Sequence, residues 1–255
     1  MDTSLKGRTA VITGGARGIG LAVARSLAAE GADIALLDLL DVVDESAAAI
    51  ARDFGVRAIG RRLDVTDQDA TDAVFDEIAA ELGVPQVLLT AAGIEINEDS
   101  IDVSARNWRK VIDVNLTGTF FSAQAFGRGL LRAGVPGSAV LISSMSGEIV
   151  NVPQWAASYN SSKAAVAHLA KSLAVEWAAS DIRVNSIAPG YVLTDLTKEI
   201  LEREPELEAD WVARIPQGRM ATPEDLTGLV IFLASDASSY LTAQQIVIDG
   251  GYTAV

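Results

Sequence analysis

The sequence contains no cysteine and a single histidine among its 255 residues. Without thiols the chain forms no disulfide, offers no thiolate ligand to a metal and has no cysteine nucleophile. No cluster of carboxylates and histidine is present either, so a catalytic metal has no support. The lack of cysteine is typical of a reducing compartment, and we expect a cytoplasmic protein that binds no metal.

Basic residues and long apolar runs are also scarce. The chain has 20 Lys and Arg against 34 Asp and Glu, and its net charge of −14 repels polyanions. The apolar run before the first glycines is too short for the core of a signal peptide, and no other stretch approaches a membrane span. We therefore expect neither a nucleic acid nor a membrane as partner.

Short apolar runs alternate with longer helical patterns along the chain. Strands are predicted at 8–13, 33–38, 56–63, 86–90, 138–143, 183–188 and 245–249, and helices at 18–30, 44–53, 67–82, 104–130, 155–179 and 223–234. Strands separated by helices of this length favour right-handed crossovers and a parallel sheet covered on both faces. The pattern predicts a single doubly wound α/β domain over residues 1–255, with about seven strands.

One segment, residues 191–222, breaks this alternation. It carries mixed charge, Pro205, Pro216 and a lone Trp211. An insertion after the carboxyl end of a strand lies over the ligand site in such folds, so we predict a substrate-binding lid. Because residues 195–215 show few apolar positions, we expect that part to be mobile without ligand.

A glycine-rich turn, TGGARGIG, follows the first predicted strand and opens the first helix. Its glycines let backbone N–H groups and the helix N-terminus approach a pyrophosphate. The spacing is G-x-x-x-G-x-G rather than the common dinucleotide fingerprint. The predicted cofactor contacts in this turn are Gly14, Arg17, Gly18, Ile19 and Gly20.

Asp38 ends the second predicted strand, eighteen residues after Gly20. A carboxylate there accepts hydrogen bonds from the ribose hydroxyls of NAD and repels the 2′-phosphate of NADP. Arg17 argues the other way, because a guanidinium pairs with a phosphate; we predict that Asp38 prevails and that the cofactor is NAD. Asp64 and Val65, after the third strand, are predicted to meet the adenine, with a plain helix N-cap as the alternative for Asp64.

Four motifs occur together: TGGARGIG, YNSSK at 159–163, VNSIAPG at 184–190 and DGG at 249–251. With them the chain resembles the short-chain dehydrogenase/reductase family over nearly its whole length. The resemblance implies a Rossmann-type fold, hydride transfer with a nicotinamide cofactor and a homotetramer. It also implies nicotinamide contacts from residues after the fourth and sixth strands, namely Ala92, Gly93, Pro189, Gly190, Val192 and Thr194.

Tyr159 and Lys163 match the family's acid/base tyrosine and its lysine. Four residues apart on a predicted helix, they share one face. The lysine ammonium, together with a nicotinamide cation, favours the phenolate and brings the tyrosine pKa toward the working pH. Both residues are also expected to contact the cofactor. Asn115, inside the pattern VIDVNLTGTF, matches the family asparagine that kinks a helix and holds a water next to the lysine.

The catalytic serine has two candidates. The family serine ends the fifth strand, which indicates Ser144 in ISSMSG, but the gap to Tyr159 is fifteen residues, and the common gap of thirteen would select Ser146. We prefer Ser144 and attribute the difference to a longer loop. Its hydroxyl is expected to bond the carbinol oxygen and stabilise developing charge.

The substrate is the least determined feature. The loop after Ser144 resembles members that oxidise polyols, and Ser146, Asn151 and Gln154 are predicted to bond substrate hydroxyls. Alternatives are a 3-oxoacyl thioester reductase, a steroid-type dehydrogenase with Trp155 and Trp211 lining an apolar pocket, and an idle relative that only senses NAD. The acidic lid leads us to expect a neutral alcohol or ketone as the small-molecule partner.

Overall fold

A computed structural model describes residues 3–203 and 205–255, apart from the side chains of 196, 199 and 203. Its sheet has seven parallel strands in the order β3-β2-β1-β4-β5-β6-β7. The strands are β1 (Thr9–Thr13), β2 (Asp33–Asp38), β3 (Ala58–Arg62), β4 (Pro85–Thr90), β5 (Gly137–Ile142), β6 (Ile182–Pro189) and β7 (Gln245–Ile248). The predicted doubly wound α/β sheet is confirmed.

The helices cover both faces of this sheet. They are α1 (Gly18–Ala29), α2 (Val43–Phe54), α3 (Gln68–Leu82), α4 (Ala105–Ile112), α5 (Gly118–Ala133), α6 (Ala157–Trp177), α7 (Asp195–Arg203), α8 (Glu206–Arg214) and α9 (Glu224–Ala234). On one face the buried side chains of α3, α5 and α6 pack on the sheet; on the other, those of α1, α2 and α9 do so. Apolar burial on both faces explains the uninterrupted apolar runs in the central strands.

Local signals fix the helix ends. The side chain of Asp67 accepts a hydrogen bond from Ala70 N at 3.0 Å and caps α3. Asp64 is therefore not the N-cap proposed as its alternative role; its Oδ1 accepts from Thr66 N at 2.9 Å within a turn. Gly55 ends α2 with a φ of 70°, a left-handed conformation that glycine adopts without strain.

The predicted helix 104–130 is interrupted. Residues Asp113–Thr117 form a π-helical turn between α4 and α5, with the buried Asn115 at its centre. π-Helical turns inside α-helices are frequent at functional sites. The departure from a continuous α-helix occurs at the asparagine for which the family resemblance implied a kink.

The segment 191–222 contains α7 and α8, and it is better packed than its sequence indicated. Leu207, Trp211 and Ile215 are buried in a third apolar cluster with Met145 and Tyr252. The expectation that residues 195–215 have few apolar contacts is therefore wrong for α8. Buried partners from distant parts of the chain hold this helix in place.

The described residues offer neither a membrane-spanning helix nor a cluster of metal ligands. No helix in those ranges has both the length and the apolar composition needed to cross a membrane. Nor do any three His, Asp or Glu side chains among residues 3–203 and 205–255 lie close enough together to hold a metal ion.

Candidate active site

A cavity of about 130 Å³ lies where β5 and β6 end. The predicted site residues that line it are Ile19, Ser144, Ser146, Asn151, Gln154, Tyr159, Pro189, Gly190, Val192 and Thr194. The remaining ones lie outside its wall, in the loops after β1, β3 and β4, at the start of α1, at the end of β2, on the π-helical turn or on α6: Gly14, Arg17, Gly18, Gly20, Asp38, Asp64, Val65, Ala92, Gly93, Asn115 and Lys163. The structure thus gathers the predicted residues at the carboxyl edge of the sheet, where ligands bind in open α/β folds.

Tyr159 and Lys163 lie one turn apart on α6, and the lysine Nζ is 5.6 Å from the centre of the tyrosine ring. Ser144 forms a side-chain hydrogen bond with Tyr159. Nζ of Lys163 donates to Ile142 O at 3.0 Å, at the end of β5. Of the two candidate serines, Ser144 is the one in contact with the tyrosine, and it lies two residues beyond the last residue of β5.

Burial dominates the electrostatics of this pair. It raises the pKa of Tyr159 above its usual range, and the Glu95 carboxylate raises it further, while the hydrogen bond with Ser144 opposes the shift. Burial also lowers the pKa of Lys163 to about 8, and Glu95 opposes this change. In the chain alone, Lys163 therefore does not bring the tyrosine pKa toward neutrality. The expectation concerned the chain with an oxidised nicotinamide bound beside Tyr159, so it stays a prediction.

Asn115 connects two elements of the site. Its Oδ1 accepts from Ile94 N at 2.8 Å and its Nδ2 donates to Ile94 O at 2.9 Å. Nδ2 also donates to Ser162 Oγ at 3.0 Å, and that hydroxyl donates to Tyr159 O at 2.7 Å. The asparagine thus joins the loop after β4 to the helix that carries Tyr159.

The glycine-rich turn requires its glycines. Gly14 and Gly18 have φ values of 64° and 56°, and a Cβ on Gly14 would lie 2.6 Å from Ala92 N. A Cβ on Gly20 would overlap the carbonyl oxygen of Gly14. The turn therefore packs tightly against the loop after β4, so that α1 begins directly beside the cavity.

The same tight packing recurs around the lysine. A Cβ on Gly93 would lie 3.5 Å from Lys163 Nζ and 3.4 Å from Asn115 Oδ1. Val65 is buried, and a Cβ on Gly118 would collide with it. Gly93 therefore lies within van der Waals reach of both the Lys163 ammonium and the Asn115 amide.

Asp38 is held at the carboxyl end of β2. Its Oδ2 accepts from Ala16 N at 3.0 Å, and its Oδ1 accepts from Leu40 N at 3.1 Å. The carboxylate therefore has a fixed position beside the glycine-rich turn. Arg17 is half exposed and faces Asp195 of α7, with 3.9 Å between the guanidinium and the carboxylate. Its nearest charged partner is on the lid segment rather than at Asp38.

Tyr191 is hydrogen-bonded to the loop between β5 and α6, which forms one side of the cavity. Its hydroxyl donates to Gln154 Oε1 at 2.7 Å and accepts from Asn151 Nδ2 at 3.2 Å. Asn151 and Gln154, the predicted substrate contacts, thus each use part of their hydrogen-bonding capacity on the Tyr191 hydroxyl. Trp155 is half exposed and lies outside the cavity wall, whereas the buried Trp211 lines it.

Glu95 is the main site residue that the sequence did not indicate. It lies in the loop after β4, lines the cavity and interacts electrostatically with Lys163, Tyr159 and Tyr191. Burial raises its pKa to about 7, against the opposing effect of Lys163. Its position two residues after Gly93 was the one available signal, because that loop was already expected to face the cofactor.

Comparisons with known proteins agree with this geometry. A family model described as enoyl-(acyl carrier protein) reductase matches residues 14–253. The chain is 41% identical to the sorbose reductase of Candida albicans over 98% of its length and 88% of the relative's. It is 42% identical to the galactitol 2-dehydrogenase (L-tagatose-forming) of Cereibacter sphaeroides, covering 98% and 96% of the two chains. The crystal structure of a short-chain type dehydrogenase/reductase from Mycobacterium marinum superposes with a TM-score of 0.94 at 42% identity, covering 100% and 98%.

Relatives of similar identity differ in the cofactor that their names give. The NADH-dependent L-xylulose reductase of Ambrosiozyma monospora is 39% identical over 97% of this chain and 95% of its own. The NADP-dependent mannitol dehydrogenase of Hypocrea jecorina is also 39% identical, over 98% and 94%. Overall sequence identity therefore does not distinguish NAD from NADP, and the preference has to depend on individual residues.

Proposed function

The chain belongs to the short-chain dehydrogenase/reductase family, and from this premise we propose that it transfers a hydride between NAD and a neutral polyol or the corresponding ketose. One observation carries the proposal. Tyr159, hydrogen-bonded to Ser144 and one turn from Lys163, lines a small cavity whose wall is rich in polar side chains.

Tyr159 is the proposed acid and base. Its hydroxyl takes the proton of the substrate alcohol during oxidation and returns it during reduction. A bound nicotinamide supplies the hydride acceptor or donor and, when oxidised, a positive charge. Because the chain alone raises the pKa of Tyr159, we infer that this charge and Lys163 together favour the phenolate.

Ser144 and Asn115 support the tyrosine. The Ser144 hydroxyl is placed to bond both Tyr159 and the substrate oxygen, where it stabilises the charge that develops there. Asn115 acts as a positioning residue, since its amide reaches the α6 backbone through Ser162. Lys163, whose Nζ would lie 3.5 Å from a Cβ on Gly93, is the proposed contact for the nicotinamide ribose.

Asp38 supports NAD as the cofactor. Its fixed carboxylate offers two acceptor oxygens to the ribose hydroxyls and repels a 2′-phosphate. Arg17 weakens this argument little, because its guanidinium faces Asp195. The groups proposed to hold the rest of the cofactor are the turn Gly14–Gly20, Asp64 and Val65, Ala92 and Gly93, and the segment from Pro189 to Thr194.

The cavity and the relatives both support a small polyhydroxy substrate. On the scale where one water needs about 10–15 Å³, a volume of about 130 Å³ suits a molecule of sugar-alcohol size. Ser146, Asn151 and Gln154 offer polar atoms to its hydroxyls. A thioester on an acidic carrier protein is disfavoured by the net charge of −14.

The test is a substrate panel. Galactitol, D-sorbitol and D-arabinitol are each incubated with the protein and either NAD or NADP, and the absorbance of the reduced nicotinamide is followed. We expect turnover of at least one polyol, with higher kcat/KM for NAD. No turnover of any polyol, with 3-oxoacyl thioesters reduced instead, would replace this proposal with the thioester reductase.

A homotetramer is also proposed. β7 is an edge strand of the sheet, and Trp108, Leu131 and Val175 are exposed apolar residues on α4, α5 and α6. A second and a third copy packed on the strand edge and on these helices would cover them. Light scattering should return a mass close to four chains, and a monomer would contradict this.

A further inference from the structure

Glu95 is an unusual component of the cavity. Among the described residues that form the wall, it alone carries a formal charge; the others are apolar or neutral polar side chains. No donor within residues 3–203 and 205–255 forms a hydrogen bond with its carboxylate. A partly buried carboxylate without a donor is costly to the fold, which indicates that something other than stability retains it.

Two more polar atoms of the same wall lack a partner. Asn151 Oδ1 is an acceptor and Trp211 Nε1 a donor, and neither is hydrogen-bonded. Both residues line the cavity with Glu95. Hydroxyl groups donate and accept at the same atom, so a ligand with several of them is suited to such a mixture. An apolar ligand would leave the Glu95 carboxylate without a partner.

We propose that Glu95 determines the substrate class of this site: its carboxylate accepts hydrogen bonds from hydroxyl groups beside the reacting carbon and repels substrates that carry a carboxylate or phosphate there. The inference rests on the proposed function and deepens it, because it names the group that separates neutral polyols from aldonates and sugar phosphates. The excluded anions differ from accepted substrates mainly in charge.

The electrostatic surroundings of Glu95 agree with this role. The charged and titratable groups that act on it are Lys163, Tyr159 and Tyr191. Lys163 partly offsets the cost of burying the carboxylate. The lysine side chain does not itself line the cavity. A substrate anion would therefore meet a carboxylate, and no lysine or arginine, among the described side chains of the wall.

The test compares matched substrates. Of galactitol, D-sorbitol and D-arabinitol, the one that the wild type oxidises fastest is paired with its aldonate, and both are assayed with NAD at pH 8. Glu95→Gln keeps the size of the side chain and removes its charge. We expect KM for the polyol to rise about tenfold or more, since a hydrogen bond to a charged group is lost. The ratio of kcat/KM between polyol and aldonate should fall by at least as much.

Glu148→Gln is the matched control. Glu148 is exposed, lies close to the site in sequence and does not line the cavity. The loss of its charge should therefore leave unchanged both the KM for the polyol and the ratio of kcat/KM between polyol and aldonate. A second readout is pH: in the wild type the relative rate on the aldonate should increase as Glu95 takes up a proton below about pH 7, whereas Glu95→Gln should show no such increase.

The outcomes separate the two proposals. If the wild type oxidises polyols and Glu95→Gln keeps the wild-type ratio and pH profile, the assignment of Glu95 is overturned and the proposed function stands. If the wild type oxidises no polyol, the proposed function falls and this inference with it. A merely structural Glu95 would show itself as a lower melting temperature in the variant with the substrate ratio intact.

Discussion

Tyr191 and Trp211 stack face to face, with ring centroids 4.1 Å apart and 9° between the ring planes. Tyr191 lies two residues after the end of β6, and Trp211 lies on α8, so the stack ties α8 to the carboxyl edge of the sheet. Tyr252 meets Tyr191 edge-on at 5.5 Å and completes an aromatic trio. Side chains from three parts of the sequence therefore pack together beside the cavity, and two of them, Tyr191 and Trp211, line it.

Removing the buried ring should unfold this side of the site. Trp211→Ala is expected to lower the free energy of unfolding by about 3–5 kcal/mol, the usual cost of truncating a buried aromatic side chain. Urea denaturation measures the change. Trp155→Ala is the matched control, because Trp155 is 52% exposed, and it should cost less than about 1 kcal/mol. Equal losses in both variants would contradict the described packing.

Cofactor choice should depend on Asp38. Asp38→Asn removes the negative charge that faces a 2′-phosphate, so the preference for NAD over NADP in kcat/KM should narrow by about tenfold or more. Asp41→Asn changes a neighbouring carboxylate that is exposed and paired with Arg62 at 3.4 Å, and should leave the preference unchanged. A wild-type enzyme that works better with NADP would assign the choice to Arg17 instead.

The two serines should differ in their effect on turnover. Ser144→Ala removes the hydroxyl that bonds Tyr159 and should lower kcat by about a hundredfold or more, as for loss of a group that stabilises transition-state charge. Ser146→Ala should act mainly on KM. Tyr159→Phe should abolish turnover while binding of NADH, followed by its fluorescence, persists. A larger loss of kcat in Ser146→Ala would reverse the assignment.

Glu95 should make stability depend on pH in a defined direction. Its pKa is about 7 in the folded chain and about 4.3 when unfolded, so the folded state binds more protons in between. The stability that Glu95 contributes is therefore full below about pH 4 and is lost as the pH rises to 7. Relative to wild type, Glu95→Gln should gain up to about 3 kcal/mol between pH 5 and 7.5, measured by urea denaturation. A constant difference would show that the carboxyl titrates normally.

Much of the fold could be predicted because strand and helix patterns are local. Apolar runs such as ALL in β2 and VLL in β4 mark strands buried on both faces, and their bounds were predicted to within two residues. The π-helical turn follows from no local pattern, since it accompanies hydrogen bonds between Asn115 and the distant Ile94; only the family resemblance indicated a kink there. The burial of Trp211 likewise depends on Met145 and Tyr252, which no local pattern connects to it.

The candidate site divides in the same way. Tyr159, Lys163 and Asp38 stand in motifs or at strand ends, and the structure brings each to the expected edge of the sheet. Glu95 belongs to no motif, and a single glutamate in a loop resembles any solvated surface charge. Its burial arises from the side chains of three other elements around it, so only the assembled fold distinguishes it.

The two hydrogen bonds between Asn115 and Ile94 also hold the loop that carries Glu95. Ile94 directly precedes Glu95, and Ser162, also bonded to Asn115, is bonded in turn to the backbone of Tyr159. One amide group thus positions both Tyr159, the proposed acid and base, and the loop that carries Glu95, the proposed determinant of substrate class. A substitution of Asn115 is therefore expected to change the turnover rate and the substrate selectivity together. New substrate preferences should be sought by varying Glu95, Asn151 and Gln154 while that asparagine is left untouched.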